Sequence, residues 1–328
     1  MSPVESLLEP ILGLHESVRD AVLDACARQA PEQLAAEVGD AGDTIYAIDR
    51  VGEDALVRGL APIAREQPIC IIAEGLPAAL VLPRGARERD CRWRLLVDPL
   101  DGTRGLMYQK RSAWILTGVA PNRGPATRLS DIELAVQTEI PVLKQHLSDQ
   151  LWALRGEGMT ARRGNRLTRA TEPLTLRRSS AGTIAHGFAT LVRFFPGARE
   201  ILGAIDDEVM YALVAPASLP PGRAACFEDQ YACTGGELYE LIAGHDRLIA
   251  DLRPLASPGS LCCHPYDLCT ALIAAEAGVI TTDPTGAPVD APFDLTTDIA
   301  WVGYANEQLR ASIEPVLQAA LRRRGLLG

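Results

Sequence analysis

Positive charge is scarce in this chain of 328 residues: Lys and Arg number 32 against 42 Asp and Glu, a formal net charge of −10. That balance argues against nucleic acid as a main partner, because affinity there comes from Lys and Arg neutralising phosphates. Aromatics are also few, at 5% of residues, which disfavours a base-stacking platform. No stretch approaches the roughly 18 uninterrupted apolar residues of a membrane span. Ser2 to Glu9 carries early acids and Pro3 where a leader would carry a basic start and an apolar core, so neither a membrane anchor nor a targeting segment is expected. The eight cysteines include no CxxC pair. Cys262-Cys263-His264 has a metal-like look, but without such a pair the cysteines read as buried or free thiols of a reducing cytoplasm. Internal repeats and low-complexity segments are absent.

What remains is an ordinary globular composition, 47% hydrophobic and 23% charged, with length enough for two packed halves. Val4, Leu7, Leu8, Ile11, Leu12, Val18, Val22 and Leu23 recur at helical spacing, which predicts an amphipathic helix over residues 4–28. Gly39 to Thr44 is a break, and a second helix is expected from about Asp49 to Arg65, ahead of Pro68. Ile69–Ala73 and Trp93–Val97 are apolar runs of strand length. Further strands at Ala113–Ala120, Ile132–Ile140 and Gln150–Leu154 are separated by turn residues, as in an antiparallel meander. Basic and polar residues from Thr160 to Ser180 mark a soft boundary, dividing an N-terminal half (1–172) from a C-terminal half (173–328). Helices near Ala198–Leu213, Gly236–Ala243 and Pro265–Ala277 follow, then a strand at Asp298–Gly303. A last helix ends in Arg322-Arg323-Arg324-Gly325, where cations suit the dipole and Gly can stop the helix.

The informative pattern is acids at the ends of apolar runs: Glu74 ends one and Asp98 another. Strand ends open onto a sheet rim, where loops converge and ligands bind. In Asp98-Pro99-Leu100-Asp101-Gly102-Thr103, Pro99 biases Asp98 toward an extended conformation. A tight turn here can aim both carboxylates and the Leu100 carbonyl at one point, the all-oxygen environment that Mg²⁺ and Mn²⁺ prefer. Asp101 is expected to cap a helix N-terminus, leaving the Gly102 and Thr103 amides to hold a phosphate.

These six residues resemble the signature of the inositol monophosphatase family, within the superfamily that includes fructose-1,6-bisphosphatases and bisphosphate nucleotidases. The resemblance extends over most of the chain. Asp43 and Asp49, six apart, resemble the family's upstream segment, and Ile72-Ala73-Glu74 the strand ending in its first metal-binding glutamate. Gly156-Glu157-Gly158 with Gly164-Asn165-Arg166-Leu167 is similar to its Gly-rich hairpin, and Thr234-Gly235-Gly236 to a short central motif. Tyr266-Asp267 followed by Glu276-Ala277-Gly278 resembles its second signature, with Tyr266 where Trp is common. The resemblance implies a layered α/β (α+β) sandwich, an antiparallel sheet half followed by a smaller mixed half, with the site at their junction. It implies two or more Mg²⁺ per site, with Mn²⁺ a possible substitute, held by Glu74, Asp98, Asp101, Asp267 and the Leu100 carbonyl. Asp49 and Thr103 would position and deprotonate the attacking water, with Glu74 beside them. Asp101, Gly102, Thr103 and Asp267 would contact the substrate. The reaction implied is hydrolysis of a small polyol or sugar phosphate by a metal-activated water, in a Li⁺-sensitive, cytoplasmic homodimer. Crowded carboxylates would resist ionising without cations, so bound cations also explain how a chain this acidic attracts an anionic ester.

Gly75 stands where the family commonly has a second glutamate, which implies a weakened or missing outer cation. The chain is also longer than compact relatives, with insertions expected around Gly182–Arg223 and Gly244–Leu261, so substrate choice transfers least. A fructose 1,6-bisphosphate or adenosine 3′,5′-bisphosphate substrate is the alternative reaction, and a non-catalytic binder of a phosphorylated metabolite the alternative class. Glu228 and Asp229 are weaker candidates for sugar contacts, Lys110 and Arg111 for guiding an anion. His245, Asp246 and Arg104 are read as solvated, and His264 as structural.

Overall fold

The computed structural model of the chain describes residues 3–40, 44–76, 79–214 and 224–328. Asp43, and residues 215–223 of the first expected insertion, lie outside the described residues. The opening amphipathic pattern forms α1 (Leu8–Arg28) after a 3-10 turn at Glu5–Leu7, and the short α2 (Pro31–Leu34) precedes the second expected helix, α3 (Ala47–Glu66). Where the sequence reads as a break, β1 (Glu37–Asp40) pairs antiparallel with β2 (Thr44–Tyr46).

An eight-stranded sheet follows: β3 (Ile69–Ala73), β4 (Leu80–Leu82), β5 (Trp93–Asp101), β6 (Ala113–Pro121), β7 (Leu134–Ile140), β8 (Leu147–Leu154), β9 (Met159–Asn165) and β10 (Thr171–Pro173), in spatial order β10-β9-β8-β7-β6-β5-β3-β4. The antiparallel meander holds from β5 to β10, but β3 and β5 run parallel. The basic stretch read as a boundary carries β9 and β10. Its polar residues fit a strand because each meets a partner across the ladder. Arg163 sits opposite Asp149 and binds it through two nitrogens at 2.6 and 2.8 Å, and Arg162 sits opposite Gln150 and donates to it at 2.8 Å. Cross-strand pairs of this kind stabilise a sheet where hydrophobic alternation is missing.

A further sheet has four strands, β11 (Phe188–Leu191), β12 (Asp246–Asp251), β13 (Ile280–Thr282) and β14 (Trp301–Tyr304), ordered β11-β12-β14-β13 with one parallel pair. Around it lie α5 (Arg199–Val214), α6 (Thr234–Ala243), α7 (Arg253–Ala256), α8 (Ala271–Glu276) and α9 (Glu307–Arg323), while the single-turn α4 (Thr103–Met107) follows β5. The helix expected over 265–277 shrinks to α8, because 265–270 form turns. The segment expected as an insertion at 244–261 holds β12, a buried strand.

Every residue of β5 is buried, since both faces of its sheet are covered. Leu95 and Val97 join the core beneath α1 and α3, while Leu96 joins the core shared with the C-terminal elements. This is the period-2 alternation of a strand between two apolar layers, and it brings the end of β5 between the two cores. Among the described residues no helix is long and apolar enough to cross a membrane.

Candidate active site

Residues three apart on a regular strand point to opposite faces. Asp98 and Asp101 escape this through a bulge: Asp98 pairs with Leu116 and Asp101 with Trp114, so three steps on β5 match two on β6. The extra residue returns both carboxylates to one face. Pro99, which lacks an N–H, is tolerated at such an irregularity, and the Leu100 N–H donates to Asp98 Oδ1 at 2.9 Å. A bulged strand, not a turn, therefore aims the two acids. Asp101 does not cap the helix that follows. The residue before α4 is Gly102, left-handed at φ 94°, and Asp101 Oδ2 accepts instead from the Gly235 N–H at the start of α6, at 2.6 Å. Two motifs read separately in the sequence thus meet. So do two more: the Gly156 and Gly158 N–H groups donate to the Glu276 carboxylate at 2.7 and 2.8 Å.

Asp267 approaches from the turns before α8. Gly118 on β6 permits this, because a side-chain carbon there would stand 2.7 Å from the Cys269 carbonyl oxygen. Asp267 Oδ2 accepts from its own turn, from the His264 N–H at 2.6 Å. The result is a cluster in which carboxylate oxygens of Asp98, Asp101 and Asp267 lie within 4.8 Å of one another. Glu74 follows β3, its N–H bonded to the Val97 carbonyl at 3.1 Å, and lines the same cleft outside that trio. Asp49, in the first turn of α3, accepts from Tyr46 N–H through Oδ2 at 2.7 Å and from Thr103 Oγ1 through Oδ1 at 2.7 Å. Thr103 Oγ1 also lies 2.9 Å from the Leu100 carbonyl oxygen. Leu100, Gly102 and Thr103 line the cleft too, so all the primary candidates converge.

Burial, and then the charges of Glu74, Asp101 and Asp267, push the Asp98 carboxyl well above its usual range. Burial and the charge of Asp101 do the same to Asp267. Asp101 is raised by burial to about 6, with the Gly235 N–H holding it back. Like charges this close and this buried cannot all ionise without a compensating charge. A set of oxygen donors alone fits a hard divalent cation.

The secondary candidates fare differently. Glu228 pairs with Arg193, Asp229 with Arg111, and His245 with Glu240, so these groups are committed to structural ion pairs. Asp246 is not solvated: it is buried on β12, and burial raises its carboxyl to about 7. Arg104 lines the cleft, its guanidinium over the rings of Tyr46 and Phe195. Gly75 has φ 78°, and a β-carbon there would fall 2.0 Å from Glu53 Oε1. The missing glutamate's place is thus taken by the buried Glu53 of α3, which is bound to Arg50 at 2.6 Å.

The cleft is also lined by Phe194, Phe195 and Arg253, which the sequence motifs do not mark. Arg253 stacks on both rings, 4.4 and 5.4 Å from their centroids, and is held by Asp251 at 2.8 and 2.6 Å. A signal for it existed. Asp251 ends the apolar run Leu248-Ile249-Ala250, the same acid-after-strand pattern that marks Glu74 and Asp98.

No family model matches the chain, and a search of curated proteins finds no relative. Solved structures do match. The fructose-1,6-bisphosphatase of Leishmania major, in holo form, superposes with a TM-score of 0.71 at 13% identity over 98% of this chain and 96% of that one. The extragenic suppressor protein suhB of Bartonella henselae gives 0.65 at 15% identity, over 95% and 98%. The Thermotoga maritima IMPase gives 0.63 at 14%, over 97% and 99%. The chain has the fold shared by inositol monophosphatase-like and fructose-1,6-bisphosphatase structures.

Proposed function

We propose that the chain is a metal-dependent phosphomonoesterase that hydrolyses a small polyol or sugar phosphate, with Mg²⁺ as its ion. The observation that carries this reading is the meeting in one cleft of the Asp98–Asp101–Asp267 cluster with the hydrogen-bonded Asp49–Thr103 pair. Glu74, Asp98, Asp101, Asp267 and the Leu100 carbonyl would hold the cations. Bound there, they would polarise the phosphate and lower the pKa of an attacking water. Thr103 has one hydroxyl hydrogen and two acceptors in reach. A carboxylate is the stronger acceptor, so the hydrogen goes to Asp49 and the Leu100 carbonyl stays available. Thr103 Oγ1 then accepts a proton from water as it passes its own to Asp49, which makes the pair a general base. The Gly102 and Thr103 N–H groups, at the start of α4, would suit a phosphate.

A phosphate-release assay over inositol phosphates, sugar phosphates and nucleotide bisphosphates, with and without Mg²⁺, tests this. Metal-dependent release from a polyol or sugar monophosphate is expected. Release from none of them would overturn the reading. One observation favours a second substrate class: Phe194, Phe195, Arg104 and Arg253 give the cleft an aromatic and cationic wall. Such a wall suits a nucleotide bisphosphate. If that is the substrate, Phe194→Ala raises its KM more than that of any sugar phosphate.

A further inference from the structure

Beside the carboxylate cluster lies a group of donors of different chemistry. The backbone of Cys263 bridges Ile299 antiparallel, with the Ile299 N–H donating to the Cys263 carbonyl at 2.9 Å. Cys263 and Ile299 are buried in the core. By alternation their neighbours turn to the other face, and there Cys262 Sγ, a ring nitrogen of His264 and a carboxylate oxygen of Asp298 lie within 4.8 Å of one another. His264 Nε2 is 3.6 Å from Asp298 Oδ1. Tetrahedral zinc bonds of about 2.0–2.3 Å place their ligand atoms roughly 3.3–3.7 Å apart, so this pair already has the right spacing.

We propose that Cys262, His264 and Asp298 form a second cation site, selective for Zn²⁺ and distinct from the oxygen-only cluster. One thiolate, one imidazole and one carboxylate make a donor set that Mg²⁺ does not favour and zinc does. The fourth position opens to solvent: Cys262 lines the cleft, and the Asp298 side chain is 39% exposed. The thiol now donates to Asp298, and burial with that bond pushes it up to about 12. As the sulfur–zinc bond forms, the thiol proton leaves to solvent and the Asp298 oxygen turns from the thiol to the ion. The other ring nitrogen of His264 lies 3.3 Å from Tyr266 Oη and 3.9 Å from Asp267 Oδ2. An outer partner of this kind orients a metal-binding imidazole. His264 also anchors Asp267 through its N–H, so the two sites share a structural element. The inference holds whichever ester the cleft hydrolyses.

The test is a Zn²⁺ titration of the reduced, chelator-stripped full chain in a large excess of Mg²⁺. We expect one zinc per chain to resist the Mg²⁺, with release of about one proton at neutral pH. Co²⁺ in its place should give near-ultraviolet thiolate-to-cobalt absorption. Cys262→Ser should abolish that absorption, and both Cys262→Ser and Asp298→Asn should weaken zinc at least about tenfold. Asp298 is exposed enough to replace without disturbing the core, so it decides the matter if the cysteine variant does not fold. Displacement of zinc by Mg²⁺, or unchanged affinity in the variants that fold, would overturn the proposal.

Discussion

Two buried polar clusters sit on the eight-stranded sheet, and they are built on opposite principles. On α1, His15 is fully buried, with Nε2 2.8 Å from Thr117 Oγ1 and Nδ1 3.0 Å from Thr138 Oγ1. Gln150 donates to Thr138 at 2.8 Å and to the Leu12 carbonyl at 3.3 Å. Burial lowers the imidazole to about 3, so it is neutral, and both ring nitrogens are partnered. The Asp98–Asp101–Asp267 cluster opens to the cleft, with Asp98 and Asp101 buried and Asp267 half-buried, and its members repel one another. A self-satisfied network specifies packing. A self-repelling one costs stability until a counter-ion arrives, which is the mark of a ligand site.

The sharpest way to break this contrast is Asp98→Asn. Removing one acid should cut phosphate release on the order of 10³-fold, or roughly 4 kcal/mol of barrier. The thermal midpoint of the metal-free protein should stay level or rise, since a repulsion is lost. Retained activity in the assay would remove Asp98 from the site. The reciprocal change is His15→Ala. It should cost about 2–4 kcal/mol in denaturant unfolding, through a cavity and two stranded hydroxyls, while leaving stabilisation by Mg²⁺ intact. Gly75→Glu, which installs the family's common glutamate, should destabilise by about 1–3 kcal/mol through positive-φ strain and collision with Glu53. Gain of stability or of metal affinity in that variant would contradict the role given to Glu53.

The smallest effect is on pH dependence. Asp101 in the metal-free fold titrates at about 6, above its ordinary value, so the folded state holds more protons between the two. Stability from this group falls as pH rises through that window, and the raised Asp98 and Asp267 extend the fall upward. His15 has the opposite sign: its contribution is lost as pH drops from about 6.5 toward 3. A cation that binds the ionised cluster relieves only the first effect. The rise in thermal midpoint on adding Mg²⁺ should therefore be greater at about pH 8 than at about pH 5, with or without His15. An equal rise at both would mean that the ion binds elsewhere.

Much of this was legible in the chain. Helix faces and the apolar strands announced themselves by period, and acids closing apolar runs marked Glu74 and Asp98. Other features hid because their signal is relational. β9 is polar, and its Arg162 and Arg163 make sense only opposite Gln150 and Asp149. β12 passed for an insertion because it has no counterpart in the motifs, although Asp251 closes it in the familiar way. Arg253 follows in that same segment, and Phe194 and Phe195 beneath it lie in the other segment expected as an insertion.

By itself, the order of residue types determined which side chains are candidates for chemistry: short-range periodicity and the run from Asp98 to Thr103 are properties of neighbours in sequence. Only the tertiary structure decided how they meet. The bulge that turns Asp98 and Asp101 to one face, the capture of Asp101 by Gly235, the closure of Gly75 by Glu53 and the gathering of Cys262, His264 and Asp298 each join residues whose partners stand on another element. Register and close approach are settled by the packing of whole layers, which no local pattern encodes.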